Sequence, residues 1–167
     1  MKTECTHLAS DVGRLRDQVK HAVDASVKPA FRVWTTKGAN GIAKWRQVVA
    51  VIVFGGAIAP RDILAIADAT VCGTERYGVV LTPFAVHVRD KGQSKTYPWG
   101  SDLSVKARWV HWWWPFEIDF RVNEDRYTFK TLSPWTFGRF VRQLSYASSQ
   151  VSLPASLLRV VDAVNSL

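Results

Sequence analysis

Between residues 116 and 123 the chain alternates without a break. Phe116, Ile118, Phe120 and Val122 are apolar, while Glu117, Asp119, Arg121 and Asn123 are polar. A side-chain period of two sends one set to each face of an extended chain, so this segment reads as a half-buried strand. A lone strand of this kind has nothing to cover its apolar face, and its neighbours carry the same period. Val79-Val80-Leu81-Thr82 reads as a strand. From Phe84 to Arg89 the pattern places Phe84, Val86 and Val88 inward and His87 and Arg89 outward. Asp90-Lys91-Gly92 is a tight turn, and Thr96-Tyr97 opens a strand that Pro98 confines to an edge or a strand start. Val105 to Trp114 is a long strand candidate, and Asn123-Glu124-Asp125 turns the chain so that Tyr127 and Phe129 return on the partner.

Helical periods flank this block. Leu8, Val12, Leu15, Val19, Val23 and Val27 recur at steps of three and four, which predicts an amphipathic helix ending before Pro29. At the other end Ser133 suits an N-cap and Pro134 the first helical position, ahead of an apolar stripe of Phe137, Phe140, Val141 and Leu144. A short helix is expected after Pro154, with Leu157, Leu158, Val161 and Val164 on one side. Two segments stay open. The run from Val48 to Ala59 suits a core helix, a strand or an interfacial segment, and Ile63, Leu64, Ile66 and Ala67 suggest a helical turn or two.

Short antiparallel strands followed by one amphipathic helix follow the order of a pleckstrin-homology-like (PH-like) domain. Val80-Leu81-Thr82, Phe84 to Val88, Asp90-Lys91-Gly92 and Tyr97-Pro98-Trp99 resemble a local series found in bacterial members, and the resemblance covers roughly residues 69–149. It implies an α+β fold, an antiparallel PH-like barrel or sheet closed by a C-terminal helix. The expected organisation is a helical, basic segment over 1–67, the β domain with its helix over 68–150, and a short helix over 151–167. Lipid-binding members carry clustered Lys and Arg in the first strand connection. This chain has Glu75-Arg76 there, so phosphoinositide binding is not implied.

Charge narrows the functional classes. Lys and Arg number 22 against 14 Asp and Glu, a net charge of +8, and the isoelectric point is near 9.8. From Ala25 to Arg61 there is no acidic residue, while Lys28, Arg32, Lys44 and Arg46 are interleaved with Trp34 and Trp45. Such a stretch reads either as a solvated face that maintains solubility or as the electrostatic footprint of an acidic partner. The densest aromatic run, Arg108 to Phe116, holds Trp109, His111 and Trp113 on one strand face, which either the N-terminal helix covers or a partner meets. Trp and Arg dominate interface hot spots, and Trp also stacks on bases. The candidate binding surface is therefore Lys28, Arg32, Trp34, Lys44, Trp45, Arg46, Arg108, Trp109, His111 and Trp113. An acidic protein is the expected partner; nucleic acid and peripheral contact with an anionic membrane are alternatives.

Catalytic signals are weak. The four His are scattered, with no metal-ligand spacing, nucleophile elbow or phosphate-binding Gly loop. Glu117 and Asp119 share a strand face and read as solvated residues, and His87 and His111 as ordinary outward ones. No enzyme activity, metal or cofactor is expected. Cys5 and Cys72 read as free thiols of a reducing cytoplasm. The longest apolar run falls short of the roughly 20 residues of a membrane-spanning helix, so no transmembrane segment is expected.

Overall fold

The structure, a computed structural model, describes residues 2–36, 41–54, 58–70, 78–100, 103–111, 117–131, 133–152, 154 and 157. Within them the chain is α+β, with two antiparallel sheets and three α-helices. The elements are α1 (Lys2–Ser26), β1 (Val33–Thr35), α2 (Lys44–Val53), β2 (Ala65–Asp68), β3 (Gly78–Leu81), β4 (Ala85–Asp90), β5 (Gln93–Pro98), β6 (Val105–His111), β7 (Glu117–Val122), β8 (Asp125–Lys130) and α3 (Pro134–Ser149). Strands β1 to β5 pair in sequence order in one sheet and β6 to β8 in the other.

Turn chemistry fixes the hairpin registers. Asp90 pairs with Gln93, leaving Lys91-Gly92 as a two-residue loop in which both φ angles are positive, 48° and 84°. This is the primed turn whose twist matches its flanking strands. Asn123, at φ 55°, performs the same service between β7 and β8. Gly78 is required by space as well as by its φ of 151°: a Cβ there would lie 2.2 Å from the carbonyl oxygen of Ala67 on the paired strand.

The main core lies between the sheets and the two long helices. Val33, Ala65, Ala67, Val79, Leu81, Val86 and Val88 face Ile118, Phe120, Val122 and Phe129 across it. Helix α3 lies against this core through Phe137, Phe140, Val141 and Leu144, all buried. Its Phe137 meets Phe120 and Phe129 edge-on, with ring centroids 5.7 and 5.4 Å apart. Helix α1 packs on α3 through Leu15, Val19 and Val23. Val12 belongs to the same sequence stripe but is exposed.

Several expectations need correction. The sheets do not close into a barrel; among the described residues no strand pairing joins them. Side chains bridge them instead, where Lys95 and Tyr97 of β5 both donate to the Asp125 carboxylate of β8, at 2.6 and 2.7 Å. The segment 1–67 contains strands as well as helices, because β1 and β2 belong to the same sheet as β3. Ile63 to Ala67 form no helix. A single 3₁₀ turn at Pro60–Asp62 leads into β2, whose residues are all buried. A central strand covered on both faces reads as a continuous apolar run, which masks its period.

That second cover also explains His87, which is buried where solvent exposure was expected. The outer face of the five-stranded sheet carries its own small core, in which Ala50 and Phe54 of the α2 segment pack with Ile63, Ile66 and Val80. Phe84 is exposed instead of inward, because Thr82 Oγ1 accepts the Ala85 N–H at 3.1 Å and turns the chain before β4 begins. Asp119 is buried and not solvated, enclosed by Arg121 and Arg126 at 3.2 and 2.9 Å. Phe116 and most of the expected final helix lie outside the described residues; Leu157 packs against the main core. Among the described residues, no helix is long and apolar enough to cross a membrane.

Candidate functional site

Helix α2 makes Val48 to Val53 helical and organises the candidate surface; residues 55–57 of that run lie outside the described residues. The start of α2 is poorly suited to a helix. Ala43 at the N-cap contributes no side-chain bond, and no acidic residue stands in the first turn. Lys44 and Arg46 instead sit where the helix dipole disfavours positive charge. The other end is secured from the sheet, where the Arg89 guanidinium of β4 donates to the Val53 carbonyl. A cation on the last carbonyls satisfies an orphan acceptor and the dipole together.

One face of α2 packs on the sheet, with Ala50 fully buried and Val51 and Val53 partly so. The opposite face is apolar as well. Trp45, Val48 and Ile52, spaced i, i+3, i+7, are 55%, 51% and 71% exposed. A surface helix ordinarily turns polar residues to water; α2 turns these three apolar side chains there instead. Its N-terminal end is held by a cation between two rings. The Arg46 guanidinium lies 3.7 Å from the centroid of Trp34 on β1 and 4.1 Å from that of Trp45. Each such contact contributes about 0.5–2 kcal/mol, more as it is desolvated. Arg46 thereby ties α2 to β1.

The structure thus brings together four of the ten expected residues: Trp34, Lys44, Trp45 and Arg46. It places Lys28, Arg32 and Arg108 elsewhere. Arg32, in a left-handed conformation at φ 63°, lies 3.6 Å from the buried Asp68 carboxylate and donates to the Thr70 carbonyl. Its charge is matched inside the protein. Lys28 is exposed, but its backbone N–H donates to Gln143 of α3 at 3.2 Å, which places it beside that helix. Arg108 belongs to the other sheet, opposite Asp119. Trp109 and His111 continue β6 with a bulge between them; their side chains, and Trp113 altogether, lie outside the described residues.

Comparison with protein-family models, curated proteins and solved structures finds no match. The site therefore has to be judged on its own chemistry.

Two clusters of titratable groups bear on catalysis. His87 is held through both ring nitrogens, to Thr82 Oγ1 at 3.2 Å and Thr96 Oγ1 at 3.0 Å, and burial lowers its pKa from 6.5 to about 4. It is a neutral structural hydrogen-bonding group near pH 7. At the β5–β8 bridge, burial first and the bonds to Tyr127 and Asp125 next push the Tyr97 hydroxyl well above the usual phenol range. Hydrogen bonding to Asp125 raises Lys95, and the reciprocal bond lowers Asp125. These shifts hold each group in its ordinary protonation state, the reverse of what an acid–base pair needs. Among the described residues no cluster of His, Cys, Asp and Glu could hold a metal ion.

Sequence reasoning passed over Val48 and Ile52 as surface residues, and Trp135 and Tyr146 of α3, 77% and 61% exposed. A signal existed for Trp135: it falls outside the Phe137, Phe140, Val141, Leu144 stripe on a helical projection.

Proposed function

We propose that the protein is a non-catalytic interaction module that docks on an anionic surface through α2. The observation that carries this reading is the exposed Trp45, Val48 and Ile52 stripe, with Lys44 and Arg46 at its N-terminal end. A helix that turns an apolar, acid-free face outward suits the boundary between headgroups and acyl chains. There the apolar side chains leave water, and each nearby cation adds about 1 kcal/mol against an anionic leaflet. Of the expected partners, an acidic protein or an anionic surface, the membrane surface is the one proposed, supported by the exposure of all three apolar side chains on one face of α2. The fold is read as an open PH-like arrangement, supported by the order of antiparallel strands followed by a helix whose apolar face lies against them.

Co-sedimentation with vesicles tests the proposal. At low salt, vesicles of phosphatidylcholine with added phosphatidylserine are expected to carry the protein down, and phosphatidylcholine alone is not. Ile52→Ser and Trp45→Ala should each weaken binding severalfold, and added salt should weaken it further. Equal behaviour on both vesicle types, or none at low salt, overturns the reading. Salt-sensitive binding to a single-stranded oligonucleotide without vesicle binding would transfer the site to nucleic acid instead.

A further inference from the structure

Among the described residues β6 is an edge strand of the second sheet and pairs only with β7. The Asn123 N–H donates to the Ser104 carbonyl at 2.7 Å, which sets the phase of the ladder. In an antiparallel pair, alternate residues turn both backbone groups toward the partner. Ser104, Lys106 and Arg108 therefore face β7, and the backbone groups of Val105, Ala107 and Trp109 face away from it. Lys106, Ala107 and Arg108 are all exposed although they point to alternate faces. Ala107 is the telling member. It stands opposite Phe120, which is fully buried, so its side chain belongs to the core side of the sheet.

Ala107 is exposed because the space between β6 and α3 is a groove of about 460 Å³. Val141 lines it as an apolar residue, and Gly138 leaves one helix position without a side chain. Trp135, Lys106 and Arg142 also line it, and no carboxylate does among the described residues. Lys106 continues into an adjoining depression with Arg108 and Arg121. The one acidic residue there, Asp119, already accepts from Arg121 and Arg126.

We propose that this groove binds an extended acidic peptide segment of another protein, added as a further strand on β6. Backbone groups of Ala107 and Trp109 would supply the pairing, as in strand addition at an exposed edge. The two faces of the added strand then meet different chemistry. Alternate side chains lie over Val141 and Gly138 and are small and apolar. Those between lie beside Lys106 and Arg108, cross-strand neighbours that favour Glu or Asp. The recognised pattern is acidic and apolar residues in strict alternation. It is independent of α2, so the two readings fail separately.

The test uses the full chain and a fluorescein-labelled seven-residue peptide of alternating Glu and Val. Anisotropy should report binding, and hydrogen exchange should show protection gained across β6. Lys106→Glu and Arg108→Glu, at exposed positions, should each weaken binding about fivefold. Gly138→Leu should abolish it without lowering the melting temperature, since a helix interior favours Leu over Gly. A peptide with Pro in place of each Val lacks the pairing N–H groups and should not bind. Absence of binding by the Glu–Val peptide, undiminished binding by the Pro peptide, or protection on α2 in place of β6 would each overturn the proposal. So would charge variants that bind as well as the parent chain.

Discussion

His87 sets a pH dependence whose size follows from its surroundings. The unfolded chain binds a proton at the ordinary imidazole pKa of 6.5, whereas the folded chain resists protonation until about pH 4, because burial disfavours the charged ring. Between those values the unfolded state holds more protons, so stability rises with pH across this window. Above 6.5 both states are neutral and the effect vanishes; below 4 both are charged and the loss is complete. The upper bound is roughly 3 kcal/mol at 1.36 kcal/mol per pH unit, and at pH 5 the loss is roughly 2 kcal/mol. For a chain of this size that corresponds to a fall in Tm of about 4–8 °C. Other groups titrate nearby: Asp90, raised by burial, works in the opposite direction. The informative quantity is therefore the difference between the parent chain and His87→Gln, followed by thermal denaturation from pH 4 to 8. The difference should be flat above pH 7 and change steadily between 6.5 and 4 in favour of Gln. A constant difference across the range would refute the argument that burial holds this ring neutral.

Gly78→Ala sets a Cβ 2.2 Å from the Ala67 oxygen, a backbone clash that should destabilise by on the order of 3 kcal/mol or more in denaturant titration. Leu144→Ala removes a fully buried side chain from α3; a loss of about 2–5 kcal/mol is expected, read in the same way. Arg89→Ala removes the donor to the Val53 carbonyl, and about 1–3 kcal/mol should be lost. The loss would be accompanied by faster amide exchange in α2 and little change in β7.

Local periodicity made much of the sheet and helix order readable before any coordinates. The alternation at Ile118, Phe120 and Val122 survives as one buried face of β7, and Ser133-Pro134 marks the start of α3. The failures have a common physical source. His87 and Asp119 each occupy a polar position in an alternating strand, where water is the default neighbour. A tertiary cover replaces it: the layer beneath α2 in one case, two arginine side chains in the other. The strand at Ala65–Asp68 was hidden for the same reason, because a doubly covered strand loses its polar beat.

Which of the candidate basic and aromatic residues would meet was not legible in the sequence. Basic and aromatic residues do meet at Arg46, yet Arg32 carries the same sequence signature and is neutralised by Asp68, 36 positions downstream. Charge runs record composition, and only the fold decides which cations are already matched. Ile52 was hidden in an apolar run that named no outward side. The register of α2 on the sheet supplies that direction.

The small outer core under α2 shares no residue with the large inner one. Arg46 fastens one end of that helix and Arg89 the other. Lifting α2 would therefore expose the outer core alone, and its amides are expected to exchange at a free energy below that of global unfolding.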